Sequence, residues 1–191
     1  MLLLASTSPR RREILSYFSI PFTSIAPFFD EEAVPFHGNP EEFVSILAQG
    51  KADSLLSIHP EAILLSADTV VYANGKIYGK PKSAEEACHC LHELVGKWHT
   101  VYTGMALRQG NQIFHQVEMT RVLFNDLTTT QIEHYIAHTK WADKAGGYAI
   151  QLAGGLIVRQ IEGCYYNVMG LPINTLAALL KRVNIELWDF L

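Results

Sequence analysis

Residues 62–72 read AILLSADTVVY, an apolar run that leads directly into an aspartate and a threonine before further apolar residues. An unbroken apolar run of this kind is typical of a strand that is covered on both faces. The dipeptide Asn74-Gly75 follows, and this pair favours a two-residue hairpin turn between residues 70–72 and 76–78. The stretch therefore predicts a central strand with other structure packed on either side of it.

Signals for helices and further strands surround this central strand. Strands are predicted at residues 2–5, 156–161 and 165–168, and an antiparallel hairpin at 99–108 and 113–124. Helices are predicted at residues 10–18, 40–57, 83–96, 128–137 and 172–183. Because strands both alternate with helices and form local hairpins, the predicted fold class is α/β with mixed α+β features. The length predicts a single domain over residues 1–191.

The composition limits the classes of partner. Hydrophobic residues make up 49% of the chain and charged residues 18%, which provides a packed core and excludes a disordered protein. The formal charge of −4 argues against bulk binding to nucleic acid or to an anionic membrane, so any phosphate site must be a concentrated pocket. Three cysteines form no paired framework, and no segment approaches the ~20 apolar residues of a membrane span. We expect a reduced, soluble, cytoplasmic protein with no nucleic-acid or membrane partner.

The turn after the first strand reads STSPRRR at residues 6–12. Its hydroxyls suit a helix N-cap, and Pro9 suits the first helical turn. A helix start offers free backbone N–H groups, and the guanidiniums of Arg10 and Arg11 add donors shaped for phosphate oxygens. This turn is either an anion clamp or an ordinary capped helix with solvated arginines.

Lys51 interrupts the apolar face of a predicted helix. At 3.6 residues per turn it falls within an arc formed by Phe43, Val44, Leu47, Leu55 and Ile58. Its side chain must either extend along the apolar surface until the ammonium reaches water, or meet an anion.

Carboxylates occur at two other points that suit chemistry. Asp68 lies near the end of a buried strand or just inside it, where a metal ion, a basic side chain or nearby N–H groups should compensate its charge. The other interpretation of Asp68 is a turn former. The acidic run at residues 30–32 offers oxygen ligands that suit Mg²⁺, or it forms a solvated loop.

Two further segments combine lysine with glycine. They are GKPK at residues 79–82 and DKAGGYAIQ at residues 143–151. Paired glycines permit close approach of the backbone to a ligand, or they only bend the chain. Neither segment matches a dinucleotide fingerprint or a Walker loop. Cys88 and His92 have the spacing of two zinc ligands, but no second ligand pair accompanies them.

Taken together, these stretches resemble the Maf family of nucleoside triphosphate pyrophosphatases. The resemblance covers nearly the whole chain and rests on LLASTSPRRR at residues 3–12, KA at 51–52, SADTVV at 66–71, GKP at 79–81, HTVYTG at 99–104, DKAGGYAIQ at 143–151 and GLP at 170–172. It implies an elongated Maf/HAM1-like (ITPase-like) fold with a central mixed sheet, helices on both sides and a cleft between two lobes. It also implies hydrolysis of a nucleoside triphosphate to the monophosphate and pyrophosphate.

Two motifs resemble the branch of the family that acts on dTTP and UTP, namely Asp68-Thr69 and the segment at residues 144–151. A pyrophosphatase for 7-methyl-GTP or another purine triphosphate is the alternative within the enzyme class. A non-catalytic, nucleotide-binding regulator of septum formation is the alternative from another class.

The resemblance also implies roles for individual residues. Asp68 would be the catalytic proton acceptor, and base choice would depend on Arg10, Thr69 and Gln151. The phosphate pocket would be lined by Ser8, Arg11, Lys51, Lys80 and Lys144. A divalent cation, Mg²⁺ first and Mn²⁺ second, would be held by Glu31 together with Asp68. The amide of Gln151 offers one acceptor and one donor group, so it can pair with the imide edge of uracil or thymine.

The family resemblance is compatible with a homodimer, although no self-complementary face is evident in the sequence. Two positions depart from the family pattern. Leu152 stands where glycine usually follows the Ile-Gln pair, and Cys164 stands where serine is usual.

Overall fold

The centre of the molecule is a seven-stranded sheet with both parallel and antiparallel pairs. The computed structural model describes all 191 residues. Its strands are β1 (Leu2–Ala5), β2 (Phe22–Ile25), β3 (Ile63–Ala73), β4 (Lys76–Tyr78), β5 (Trp98–Gln109), β6 (Gln112–Phe124) and β7 (Val158–Glu162). Its helices are α1 (Pro9–Leu15), α2 (Pro40–Asp53), α3 (Ala84–Leu94), α4 (Thr129–His138), α5 (Tyr165–Met169) and α6 (Ile173–Lys181), with 3₁₀ segments at Ala145–Gly147, Leu152–Leu156 and Leu187–Phe190. The predicted mixed α/β class is confirmed. None of these helices has both the length and the apolar character needed to span a lipid bilayer.

The long strand β3 organises the sheet, whose order is β2-β1-β3-β5-β6-β7. One edge of β3 pairs with β5 over residues 63–72. The opposite edge pairs with β1 at residues 63–65 and with β4 at residues 71–73. Residues 66–70 therefore have no strand partner on that edge, and this gap is called the notch below.

Helix α2 covers one face of the sheet. Side chains alternate between the faces along a strand, and Leu64 of β3 packs on this face with Ala48 and Ala52 of α2. A side chain at Gly104 of β5 would place its Cβ 2.4 Å from the carbonyl oxygen of Val44, so glycine permits the helix backbone to lie directly on the sheet. This close approach brings the last turn of α2 next to the notch.

The opposite face carries two separate apolar clusters, which form the cores of two lobes. In the first lobe, Leu65 of β3 packs with Ile14 of α1 and Leu176 of α6. In the second lobe, Val71 of β3 packs with Leu91 of α3 and with residues of α4. Since the first cluster meets β3 at Leu65 and Ala67 and the second meets it from Val71 onward, the part of the notch that holds Asp68 and Thr69 lies between the lobes. Helices lie on both sides of the sheet, as predicted.

Local sequence signals explain the elements that carry the notch. Asn39 caps α2 by accepting hydrogen bonds from the backbone N–H groups of Glu41 and Glu42, as predicted. The predicted Asn74-Gly75 turn joins β3 to β4, and its φ angles of 52° and 79° are those of a type I′ turn. The helices predicted to end at residues 18 and 57 end earlier, at Leu15 and Asp53.

The strand predicted at residues 165–168 is wrong, because these residues belong to the short helix α5. The aromatic and β-branched residues there favour a strand only weakly, and tertiary contacts override that preference. Gly170 ends the helix with φ of 102° and donates its N–H to the carbonyls of Tyr166 and Asn167. Inside the helix, the buried side chain of Asn167 donates to the carbonyl of Val101, which fixes α5 against β5.

Candidate active site

A cleft of about 680 Å³ opens at the notch between the two lobes. Its volume is within the usual range of small-molecule sites. Every residue to which the sequence assigns a site role lines this one cleft, namely Ser8, Arg10, Arg11, Glu31, Lys51, Asp68, Thr69, Lys80, Lys144 and Gln151. The structure thus brings together residues from six separate parts of the chain, and the role of each stays a prediction.

Lys51 lies at the centre of the cleft wall on the α2 side. Its ammonium is 2.5 Å from Oδ1 of Asp68 and 3.0 Å from Oε1 of Glu31. The side chains of Lys51 and Asp68 are 5% and 9% exposed, whereas Glu31 is 41% exposed. Of the two interpretations of Lys51, the contact with an anion is therefore confirmed. Of the groups that could compensate Asp68, the structure shows a basic side chain, that of Lys51.

Asp68 is in the middle of β3, but it lies beyond the end of β1. Its position is therefore both inside a strand and at the carboxyl end of a parallel neighbour, where ligand sites of open sheets gather. Its second carboxylate oxygen, Oδ2, has no hydrogen bond within the protein and is not closed off from solvent. This oxygen is free to bind a water molecule in the cleft.

The surrounding cations lower the pKa of Glu31. Burial alone would raise the pKa of this carboxyl, but Lys51, with smaller effects from Lys80 and Arg11, holds the pKa below its usual range. The acidic loop at residues 30–32 is thus part of the cleft wall, since all three of its carboxylates line the cleft.

On the other face of β3, Arg11 is bound by neutral acceptors. Its guanidinium donates to the carbonyl of Gly170 at 2.9 Å, to Oγ1 of Thr69 at 3.1 Å and to Oγ of Ser6 at 3.4 Å. Burial lowers the pKa of Arg11, and the nearby carboxylate of Asp68 opposes that effect. Since no carboxylate is hydrogen-bonded to it, the positive charge of Arg11 is available to an anionic ligand.

The hydroxyl of Thr69, which accepts from Arg11, is also hydrogen-bonded to the hydroxyl of Thr103. Its Oγ1 is 2.9 Å from Oγ1 of Thr103, which donates to the carbonyl of Asn167 at 3.0 Å. A hydroxyl has one proton, and a carbonyl can only accept. Thr69 therefore donates to Thr103 and accepts from Arg11, so it offers a ligand an acceptor and no free proton.

The hydroxyl cap predicted for α1 is wrong. Ser8 occupies the N-cap position, but its side chain makes no capping hydrogen bond. Instead, the backbone N–H of Ser8 donates to Oγ of Ser6, because the turn folds back on itself before the helix begins. The Ser8 hydroxyl is therefore not used by the helix and faces the cleft.

Asp143 is a cleft residue to which the sequence assigned no role. One oxygen of its carboxylate lies 2.8 Å from the guanidinium of Arg10, and the other lies 2.5 Å from the ammonium of Lys144. Arg10 also donates to the backbone carbonyl of Asp143 at 3.1 Å. Because Asp143 precedes Lys144 directly in the sequence, its contact with Lys144 has a local signal. No local signal predicts its contact with Arg10.

Buried aromatic side chains hold the segment that leads to Gln151. Nε2 of His99 and the hydroxyl of Tyr148 are 2.7 Å apart, and both rings pack edge-on against Phe124. Burial lowers the pKa of His99 to about 4, so the imidazole is neutral near pH 7. Gln151 makes no hydrogen bond through its side-chain amide, and Leu152 follows it with φ of 53° and its side chain 99% exposed. This left-handed backbone would suit glycine, the residue that the family resemblance implies at this position.

The charges around the cleft balance. Its lining contains five basic residues, Arg10, Arg11, Lys51, Lys80 and Lys144, and five acidic residues, Asp30, Glu31, Glu32, Asp68 and Asp143. Three of the bases are already paired with carboxylates, whereas Arg11 and Lys80 form no salt bridge. The sequence led us to expect a concentration of positive charge, and the structure instead shows equal numbers of basic and acidic residues, with three of the five bases in ion pairs.

No cluster of three or more His, Cys, Asp or Glu side chains suits a metal ion in this protein. Two carboxylates do converge, however, because Glu31 and Asp68 contact the same ammonium. Mg²⁺ is commonly bound through one or two carboxylates together with substrate phosphates and water. The donor set therefore fits a divalent cation that binds together with a phosphorylated ligand.

Comparisons with known proteins agree with this geometry. The family profile described as "Maf-like protein" matches residues 1–183. A dTTP/UTP pyrophosphatase of Chlamydia caviae is 47% identical over 191 residues, which are all of this chain and 97% of that protein. A dTTP/UTP pyrophosphatase of Thermosipho melanesiensis is 43% identical over 98% of this chain and 97% of its own length. Among solved structures, the Ham1 protein of Staphylococcus aureus matches with a TM-score of 0.52 at 16% identity, over 95% of this chain and 98% of that one. The last similarity confirms the predicted HAM1-like fold and bears on the fold alone.

Proposed function

The chain belongs to the Maf-like protein family, and on this premise we propose that it is a nucleoside triphosphate pyrophosphatase that converts dTTP and UTP to their monophosphates and pyrophosphate. The choice of dTTP and UTP follows the names of relatives that match 98–100% of the chain at 43–47% identity. The observation that carries the chemistry is the convergence of Asp68 with the basic residues in one cleft.

In this proposal, Asp68 orients the attacking water and accepts its proton. Lys51 engages Oδ1 of the carboxylate and balances its charge, which leaves Oδ2 for the water. The water oxygen forms a bond to the α-phosphorus, and the bond from that phosphorus to the bridging oxygen breaks. Pyrophosphate leaves with the bonding electrons, and the water proton passes to Asp68. A base positioned in this way contributes about 10²–10⁴-fold to the rate.

The triphosphate tail is the group that the basic residues would hold. Arg11 and Lys80 are free of carboxylate partners and are the first cations available to the phosphate oxygens. Lys144 and Ser8 line the same cleft and would bind further along the tail. Positive charge that is in place before the reaction stabilises the negative charge that grows on the leaving pyrophosphate.

A divalent cation belongs to the proposal, with Mg²⁺ as first candidate and Mn²⁺ as second. Glu31 and Asp68 are the residues that would hold it, together with phosphate oxygens of the substrate. When bound, the cation would neutralise phosphate charge and polarise the phosphoryl group. A cation that enters with the substrate would also add positive charge to a cleft whose own charges balance.

Base recognition is assigned to Gln151, Thr69 and Arg10. The amide of Gln151 has no partner in the protein, so both its carbonyl and its NH₂ are free for the imide edge of uracil or thymine.

A cytoplasmic location and a homodimer accompany the proposal as predictions. Three free thiols, those of Cys88, Cys90 and Cys164, support a reducing compartment.

The experiment is a panel of triphosphates. The purified protein is incubated with Mg²⁺ and dTTP, UTP, CTP, ATP, GTP or 7-methyl-GTP, and the release of pyrophosphate and orthophosphate is measured. We expect pyrophosphate from dTTP and UTP, and a kcat lowered about 10²–10⁴-fold in Asp68→Asn. Asp53→Asn, which changes a carboxylate outside the cleft, is the control and should keep its activity.

The outcomes separate the alternatives. No turnover, or release of orthophosphate alone, contradicts the proposal. If pyrophosphate is released mainly from 7-methyl-GTP or GTP, the proposed reaction stands, but the specificity for dTTP and UTP is wrong. An Asp68→Asn protein that binds nucleotide and still supports septum formation would identify a regulator in place of an enzyme.

A further inference from the structure

Arg10 and Asp143 are 133 residues apart in the chain and are joined across the cleft. Arg10 lies on α1 in the first lobe, and Asp143 lies between α4 and the 3₁₀ segment of the second lobe. The guanidinium holds Asp143 by both its carboxylate and its backbone carbonyl. The second carboxylate oxygen meanwhile binds Lys144.

We propose that Asp143 is a positioning residue for triphosphate binding, which holds Arg10 and Lys144 in place before the substrate arrives. The proposal rests on the function proposed above, since it assigns the two cations to the substrate. Asp143 itself would not touch the triphosphate, because both of its carboxylate oxygens are occupied and a negative charge would repel phosphate.

The hydrogen-bond inventory of the two cations supports a positioning role. A guanidinium has five N–H donors, and Asp143 uses two of those on Arg10. An ammonium has three donors, and Asp143 uses one of those on Lys144. Each cation therefore keeps free donors for a ligand while its side chain is fixed. Long basic side chains that are already ordered lose less conformational entropy on binding.

The contact between Arg10 and Asp143 also fixes the backbone that leads to Gln151. Gly146 and Gly147, which follow Lys144, both have positive φ angles of 67° and 73°, and such residues let the chain turn sharply. The fork from Arg10 fixes the backbone just before this turn. Asp143 therefore ties α1 to the start of the segment that carries Gln151.

The molecule contains a matched control pair outside the cleft. Arg108 and Asp53 form a salt bridge of 3.2 Å with side-chain exposures of 19% and 48%, against 21% and 49% for Arg10 and Asp143. Removing either aspartate should cost a similar small amount of stability, because both are half exposed. A difference between Asp53→Ala and Asp143→Ala in substrate binding therefore reports the position of Asp143 and not the loss of a surface ion pair.

The test measures KM and kcat for UTP, the Kd of a UTP analogue whose α–β bridge is a non-cleavable methylene group by calorimetry in the presence of Mg²⁺, and the melting temperature. We expect Asp143→Ala to raise KM and Kd about tenfold, because the two basic side chains must then be ordered on binding, with kcat changed less than threefold. Asp53→Ala should leave all three unchanged, and Asp143→Glu should recover part of the affinity. Adding Asp143→Ala to Arg10→Ala should increase KM by less than the tenfold expected in the wild-type background, since the part of the effect that acts through Arg10 is already lost.

Several results would overturn the proposal. An unchanged KM and Kd in Asp143→Ala would show that Asp143 positions neither cation, and full additivity with Arg10→Ala would overturn its proposed action through Arg10. A lower KM in Asp143→Asn would show that the carboxylate competes with the triphosphate. If the wild type binds UTP without hydrolysing it and Asp143→Ala still weakens binding tenfold, the proposed reaction fails and the positioning role stands.

Discussion

The substitution Lys51→Met tests the buried ion pair at the centre of the cleft. It keeps the length and apolar stem of the side chain but leaves Asp68 without its cation, in a place where the carboxylate is 9% exposed. Breaking a buried pair on one side costs about 3–5 kcal/mol. Because the cleft is open to water on one side, the lower end of that range applies, and we expect a loss of about 3 kcal/mol from a total stability of about 5–15 kcal/mol.

The assay is urea unfolding at pH 7, followed by circular dichroism. The midpoint should fall while the slope stays unchanged, because the substitution removes stability without changing the surface exposed on unfolding. The double variant Lys51→Met with Asp68→Asn is the control. It should recover more than half of the loss, since a neutral amide is less costly to bury than an unpaired carboxylate. A Lys51→Met protein within about 0.5 kcal/mol of the wild type, the usual size of a surface substitution, would refute the reasoning.

Three further predictions follow from other parts of the site. Leu152→Gly should raise stability by up to about 1 kcal/mol, or about 2–4 °C in a thermal melt, because glycine adopts the left-handed backbone without steric cost; a lower melting temperature would contradict it. Thr103→Val removes the acceptor for the proton of Thr69, and it should lower the preference for UTP over CTP in kcat/KM about fivefold, which is the worth of about one hydrogen bond. Thr103→Ser keeps a hydroxyl and should keep this preference. Equal UTP/CTP ratios in the two variants would contradict the assigned proton direction. The pKa of Glu31 is lowered in the folded protein, so its contribution to stability is present above the unfolded value of 4.5 and is lost as the pH falls through the folded value. Glu31→Gln should therefore lose less stability than the wild type between pH 5 and pH 3 in urea titrations, and parallel losses would argue against this ion pair.

Some of the site could be predicted from short-range patterns. The helical phase placed Lys51 on the apolar face of α2, and a lysine buried there needs an anion. The apolar run before Asp68 placed that carboxylate in a covered strand. Both signals are local, and each called for a compensating group without naming it; the structure shows that these two residues, 17 positions apart, compensate each other.

Other features depend on relations that no local pattern carries. The notch exists because β1 stops at Ala5 and the antiparallel β4 ends at Tyr78, opposite Val71, so its width is set by the lengths of two strands that pair with a third. The contact between Arg10 and Asp143 depends on how the two lobes meet. The helix at residues 165–169 replaced a predicted strand because Asn167 is anchored to β5, a tertiary contact that overrides weak local preference.

The most direct test of the central claim follows the oxygen of the attacking water. UTP is hydrolysed by the wild-type protein in water enriched in oxygen-18, and the products are separated and weighed by mass spectrometry. If water bound at Asp68 attacks the α-phosphorus, one labelled oxygen appears in UMP and none in pyrophosphate. Label in pyrophosphate, with unlabelled UMP, would place the attack on the β-phosphorus and contradict the account.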